Sequence, residues 1–295
     1  MKLINQNVEE WHCGYTLPEI WSHIAKSARV CYQSEPRNNG ETDEEFIKRV
    51  ILRNHSLEEI GESRKLQLKC HLSVLEHGTV YLDIPCEEDT AEGIMFFSRN
   101  KYSKHNYCYG LKCYITTNMR AIIEQNLTKY LKYICAPNRY HYLRTTFNII
   151  TDIGVARELA RHRTHSISEE STRYCNYGKS KFGNELTFII PEWVETRCPN
   201  TEHSGPSFAD MYWSSACKEA ESNYLRLLEN GWTPQQARQI LPLSIKVQTI
   251  HTAFESDWAE FISLRADACS GSVHPNMNMI ADKIKCLMSK GNAAL

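Results

Sequence analysis

The run Arg161-His162-Arg163-Thr164-His165-Ser166-Ile167-Ser168-Glu169-Glu170-Ser171-Thr172-Arg173-Tyr174 crowds guanidinium groups, imidazoles, carboxylates and hydroxyls into fourteen residues. A segment of this polarity does not fill a core. It is either a solvated charged face or a grip on an anion. A phosphate or pyrophosphate calls for planar, permanently charged donors with neutral hydrogen-bonders beside them, and an Arg-x-Arg pair among serines supplies both. The stretch ahead of it places Ile149, Ile153, Ala156 and Ala160 on one helical face, so a buried helix is predicted over residues 145–160. That helix aims the cluster off the end of a buried element, which favours the anion reading.

Other chemistries are excluded by spacing. None of the 13 glycines stand two apart, so the dinucleotide fingerprint and the kinase-type loop are absent, as are GxxxxGK[ST], GxSxG and HExxH. Phosphate recognition then falls to Arg, Lys and helix N-termini. The 12 cysteines are scattered without a CxxC pair, so no zinc or iron–sulfur site is expected; they read as reduced, mostly buried small hydrophobes. Whether one is a nucleophile stays open at this level.

The elements that position the cluster follow from patterning. A helix is predicted over residues 19–34 (Ile20, Ile24, Ala28), a helix start at Thr42-Asp43-Glu44-Glu45, and strands over 79–84, 111–116 and 185–190. Residues 195–206 read as a loop. A long amphipathic helix follows, with Trp213, Ala216, Ala220, Tyr224 and Leu227 on one stripe and Gly231 at its end. Thr233-Pro234-Gln235-Gln236 opens a short helix, and helices around 256–268 and 275–288 complete the chain. The fold class is therefore α+β: a mixed or antiparallel central sheet flanked by helices, with a helix-rich second half, in a single large domain spanning 1–295.

With 34 Lys+Arg against 35 Asp+Glu, the net charge of −1 argues against a polyanion-coating protein. Apolar runs are too short to cross a bilayer, and the start turns polar at once, so neither a membrane span nor a secretory leader is expected. A soluble intracellular globular protein is the expectation.

At Arg-His-Arg-x-x-Ser-x-x-Glu-x-Ser-x-Arg-Tyr (161–174) the chain resembles the flavin-dependent thymidylate synthases. The resemblance extends through Ala28-Arg29-Val30-Cys31-Tyr32, His71-Leu72-Ser73-Val74-Leu75-Glu76-His77, Ala237-Arg238-Gln239-Ile240-Leu241-Pro242 and Phe261-Ile262-Ser263-Leu264-Arg265. It implies conversion of dUMP to dTMP, with methylenetetrahydrofolate as carbon donor, NADPH as reductant and FAD as hydride carrier. It also implies a homotetramer whose active sites are shared between subunits. By position, His71, Ser73, Arg161, His162, Arg163 and Glu169 correspond to the family's FAD contacts. Glu158, Arg161, Glu169, Ser171, Arg173, Arg238 and Arg265 correspond to its dUMP set. Arg265 resembles the arginine that contacts the uracil ring, where a fixed guanidinium stabilises charge developing on the pyrimidine and takes the place of a thiol nucleophile. No metal is implied.

Taken singly, each of these residues has a plainer reading. His71 and His77 could be satisfied core histidines, Arg238 a surface charge, and Arg265 a side chain snorkelling from an apolar face. It is their joint order that speaks for a site. His165, Glu170 and His274 are read as structural or solvated. The chain departs from the family pattern at Ser168, where many members have Asn. It departs also at Phe254 and Ser256, where some members carry flavin contacts, and over 86–145, a lengthened middle segment. Two rivals remain: a related flavin enzyme that hydroxymethylates a pyrimidine nucleotide, and a nucleic-acid-binding protein using the Arg-His-Arg cluster on phosphates.

Overall fold

The computed structural model describes residues 1–36, 40–108, 111–194, 207–269 and 271–291; the loop expected over 195–206 lies outside them. Nine strands form three sheets among these residues. The central one is antiparallel, in the order β2 (Asn7–Trp11), β6 (Arg144–Asp152), β9 (Lys246–Phe254), β7 (Ser166–Glu169). A second antiparallel sheet runs β3 (Thr79–Pro85), β5 (Lys112–Asn118), β4 (Lys104–Cys108). The third pairs β1 (Lys2–Ile4) with β8 (Thr187–Ile189) in parallel. The α+β class and antiparallel sheets are as expected.

The helix expected over 145–160 is two elements. Residues 144–152 are β6, at the heart of the central sheet, and only Ile153–Leu159 is helical. Thr145, Thr146, Phe147, Ile149, Ile150 and Thr151 are β-branched or aromatic, which suits a pleated surface. Because β6 is packed on both faces, its apolar residues do not alternate, and Ile149 and Ile153 fell into helical spacing by coincidence. Asp152 marks the true helix start: its Oδ1 accepts the Val155 N–H at 2.8 Å. The second half also supplies β9, which pairs with β6 and β7 and carries the sheet's centre, so it is less purely helical than expected.

Other boundaries follow the chain's own signals. The first long helix, Leu17–Tyr32, opens with Glu19 accepting the Thr16 N–H at 2.9 Å, and buries Ile20, Ile24 and Ala28. Thr42 and Glu45 exchange capping bonds of 2.8 and 3.2 Å. The Phe208–Glu229 helix is followed by Gly231 in the left-handed region. Its core side is Cys217 and Tyr224, whereas Ala216 of the predicted stripe is exposed.

Three apolar clusters hold these layers. One lies between Leu17–Tyr32 and the β3–β5–β4 sheet. A second joins Phe147 and Ile149 of β6 to Val155 and Leu159, to Trp258 and Phe261, and to Ile280 and Ile284 of the C-terminal Pro275–Gly291 helix. The third packs Tyr177, Phe188 and Tyr224 beneath the Phe208–Glu229 helix.

Candidate active site

The Ile153–Leu159 helix leaves β6 and carries Glu158 near its end; the chain then turns through Arg161-His162-Arg163 into β7. The Glu255–Arg265 helix runs back from β9 and ends at Arg265. The two meet. Arg265 donates from Nε to His162 Nε2 at 3.2 Å and from Nη1 to Glu158 Oε2 at 3.2 Å. His162 packs its ring 4.8 Å from Phe261, edge to face. Burial, with the Arg265 charge adding to it, pushes His162 down to about 4, so it is a neutral acceptor. Arg161 and Arg163 are exposed on either side of it. Neither side chain makes a hydrogen bond or ion pair among the described residues, which leaves both guanidinium groups free for an anionic ligand.

A second group forms where β7 ends. Arg173 donates to Gln235 Oε1 from Nη2 at 2.9 Å and from Nε at 3.2 Å, and Arg238 donates to Thr172 Oγ1 at 3.2 Å. The short helix opened by Thr233-Pro234 thus brings its polar residues to the Ser171-Thr172-Arg173 turn. The Ser171 N–H donates to the Cys31 carbonyl at 2.9 Å, docking that turn on the Leu17–Tyr32 helix. The Tyr32 and Tyr174 rings lie 5.3 Å apart. Glu169 is exposed as a residue, yet protein around its carboxyl desolvates it and raises its pKa. The Glu170 carboxylate raises it further, and Arg157 opposes both.

The third group precedes β3. His71 begins a 3-10 turn, Leu72–His77, and its Nε2 lies 3.1 Å from an Arg53 guanidinium nitrogen. His71 and Ser73 are exposed. His77, at the far end, is a core histidine: Nδ1 meets Thr252 Oγ1 at 2.8 Å and Nε2 meets Ser168 Oγ at 2.9 Å. That pair of bonds ties the turn to β9 and β7. The Cys31 thiol hydrogen-bonds Ser168 and the Glu169 backbone, linking the second group to the third.

The residues read as structural are so placed. Glu170 is buried and accepts from Lys246 Nζ at 2.7 Å, Tyr177 Oη at 2.9 Å and the Gln248 N–H at 3.1 Å. His165 is buried with its ring 4.2 Å from Trp258 and its Nδ1 3.4 Å from that of His251. His274 lies against Trp193. Sequence reasoning missed Arg53, Thr172 and Gln235. Thr172 and Gln235 stood inside motifs already quoted. Arg53, at a left-handed φ of 52° in a turn, carried no signal.

The profile of the family described as thymidylate synthase complementing protein matches residues 113–290. The flavin-dependent thymidylate synthase of Kosmotoga olearia is 28% identical over 206 residues, 67% of this chain and 80% of that one. That of Thermosipho melanesiensis is 27% identical over 153 residues, 49% of this chain and 64% of that one. That of Tropheryma whipplei is 28% identical over 173 residues, 52% and 69% respectively. Among solved structures, a UMP/dUMP methylase, PolB from Streptomyces cacaoi, bound with 5-Br UMP, aligns with a TM-score of 0.44 and 19% identity over 98% of this chain and 92% of that one.

Proposed function

This chain belongs to the thymidylate synthase complementing protein family, and from that premise we propose that it is a flavin-dependent thymidylate synthase. It reductively methylates dUMP to dTMP, taking the carbon from methylenetetrahydrofolate and using NADPH as the reductant. The observation that carries the reading is the arrangement of Arg265 between the neutral His162 imidazole and the Glu158 carboxylate. A guanidinium held at two points is preorganised to meet charge developing on a pyrimidine ring, so no energy goes into orienting it during the reaction.

The dUMP set is Glu158, Arg161, Glu169, Ser171, Arg173, Arg238 and Arg265. Arg173 and Arg238, whose guanidinium groups among the described residues hydrogen-bond only the neutral oxygens of Gln235 and Thr172, keep charge to offer a phosphate dianion, and the Ser171 hydroxyl completes its shell. His71, Ser73, Arg161, His162, Arg163 and Glu169 hold the FAD. The fit rests on two guanidinium groups without a partner among the described residues, beside an imidazole that burial keeps neutral. When bound and reduced, FAD supplies the hydride. Ser171 binds and does not attack.

The enzyme is a homotetramer that completes each site with residues of a second copy. The apolar surface at the start of the Phe208–Glu229 helix supports this: Phe208, Met211 and Tyr212 are 78, 53 and 75% exposed. No helix among the described residues is long and apolar enough to cross a membrane, and we place the enzyme in the cytoplasm.

The test is an anaerobic reaction of flavin-loaded protein with dUMP, methylenetetrahydrofolate and NADPH, read by mass. A product heavier by a methyl group is expected. A hydroxymethylated product, or none from folded holoprotein, overturns the reading.

A further inference from the structure

The Leu72–His77 turn starts just after His71 and carries Ser73, and two arginines grip it at Glu76. The Glu76 carbonyl accepts from Arg144 Nη1 and Nη2, each at 3.2 Å. Its carboxylate accepts from Arg120 Nη1 at 2.6 Å. Arg144 lies 68 residues from Glu76 and is the first residue of β6. The same guanidinium donates to Thr79 Oγ1 at 3.3 Å and, at 3.4 Å, to Oγ of Ser166, the first residue of β7. One planar fork therefore touches the turn, β3 and β7, and β7 is the strand into which Arg161-His162-Arg163 leads. Arg120, in the Met119–Glu124 helix, is itself steadied by Glu124 Oε1 at 3.0 Å.

Stability alone is a poor account of Arg144. The protein around its guanidinium desolvates it and lowers its pKa. Among the described residues it forms no ion pair, and its Nε is buried without a hydrogen-bond partner. A charge without a counter-ion and a stranded donor both cost free energy. The Phe254 ring, 5.5 Å away, offsets a part. What the arrangement secures is direction. His77 pins the end of the turn through Thr252 and Ser168. One pinned residue leaves the turn free to pivot; a second hold, on the main chain of Glu76, fixes the course of the chain back to Ser73 and His71.

Both arginines belong to the lengthened 86–145 segment. That segment separates the turn from β6 along the chain, and its own side chains bring the two back together. We propose that Arg144 and Arg120 are positioning residues, a clamp on Glu76 that holds His71 and Ser73 in fixed relation to Arg161-His162-Arg163. The contacts carry the clamp; its bearing on FAD rests on the function proposed above.

Amide hydrogen exchange of the full-length, flavin-free protein, with FAD titrations beside it, tests this in wild type, Arg144→Met and Arg120→Gln. Methionine keeps much of the arginine's length and none of its donors. In Arg144→Met the amides of residues 71–77 are expected to exchange roughly tenfold faster, the lower end of what a hydrogen bond to a charged group is worth. FAD affinity is expected to fall by about as much. Arg120→Gln, which breaks a partly exposed ion pair, is expected to give a several-fold change in both. It keeps the test readable where Arg144→Met disturbs the sheet. The amides of β6 and β9 should stay as protected as in wild type. Exchange that quickens equally across β6 and β9 in both variants marks the arginines as merely structural and overturns the proposal. A turn as protected as in wild type in both variants overturns it, and so does a loosened turn with FAD affinity unchanged. A turn that loosens as expected in protein whose wild type takes up no FAD leaves the clamp standing and counts against the thymidylate synthase reading instead.

Discussion

Arg265 and His162, 103 residues apart in the chain, meet at 3.2 Å with the arginine as donor. Only an unprotonated Nε2 can accept that bond, and the buried imidazole, pushed down to about 4, stays unprotonated at neutral pH. The histidine orients the guanidinium without cancelling its charge. Glu158 cancels part of it from the other side. Arg265 is thereby fixed in direction and still cationic, the state that stabilisation of a developing anion requires.

Removing it separates binding from chemistry. Arg265→Ala is expected to retain bound flavin and to lose roughly 10²–10³-fold in the dUMP-dependent step, the scale of deleting one preorganised donor. Single-turnover flavin oxidation in the presence and absence of dUMP measures both. An unchanged rate refutes the role.

Ser171 sits in a turn whose N–H is fixed on Cys31, and no described side chain acts on its hydroxyl as a base. In the proposed role of phosphate ligand it would contribute binding rather than bond formation. Ser171→Ala is expected to raise the KM for dUMP by roughly 10- to 150-fold while most of kcat survives, since one hydrogen bond to a charged group is worth about 1.5–3 kcal/mol. Abolished turnover at saturating dUMP contradicts this and points to the serine as a nucleophile.

The thiols carry a related expectation. Burial pushes Cys175 up to about 12 and raises Cys31 as well. A thiol so far from its thiolate is a poor nucleophile. Single Cys31→Ala and Cys175→Ala variants are expected to keep dTMP formation, measured against flavin content. Loss of product with flavin retained points to thiol chemistry.

Much of this site was legible from sequence, because its residues are packed into short motifs whose order does not depend on the fold. Thr42–Glu45, Thr233–Pro234 and Gly231 were readable for a local reason: capping and left-handed turns are decided within a few residues. The strand β6 was not. A strand buried on both faces shows no alternation, and its neighbours β2 and β9 lie far away in sequence. The partners of Arg173, Arg238 and Arg265 were equally hidden, each lying 62–107 residues away. Such contacts exist only after folding.

The Lys246–Glu170 pair illustrates such a contact and its energetic weight. The Glu170 carboxylate side chain is 1% exposed and its 2.7 Å bond to Lys246 is the charged one of three. Taking away one partner of a buried pair costs about 3–5 kcal/mol. Lys246→Met is expected near the lower end, because Tyr177 and the Gln248 N–H still donate to Glu170. Urea denaturation at pH 7 measures it. A loss well under 1 kcal/mol identifies the pair as effectively solvated.

The buried imidazoles make the fold acid-sensitive. Burial holds His77 and His165 down to about 3, and His23 to about 4, against the ordinary 6.5. Between those values the unfolded chain binds protons that the native one refuses, so stability rises with pH there. It is present in full above about pH 6.5 and drains away as the pH falls towards 3–4. The slope is up to about 1.4 kcal/mol per pH unit for each histidine. His165 Nε2 has no hydrogen-bond partner among the described residues, so His165→Phe removes one such group at the loss of the 3.4 Å contact with His251 Nδ1, and is expected to flatten the dependence. Denaturation midpoints compared at pH 7 and 5 decide it. Equal midpoints for the wild type at the two pH values would mean that these histidines protonate inside the folded protein.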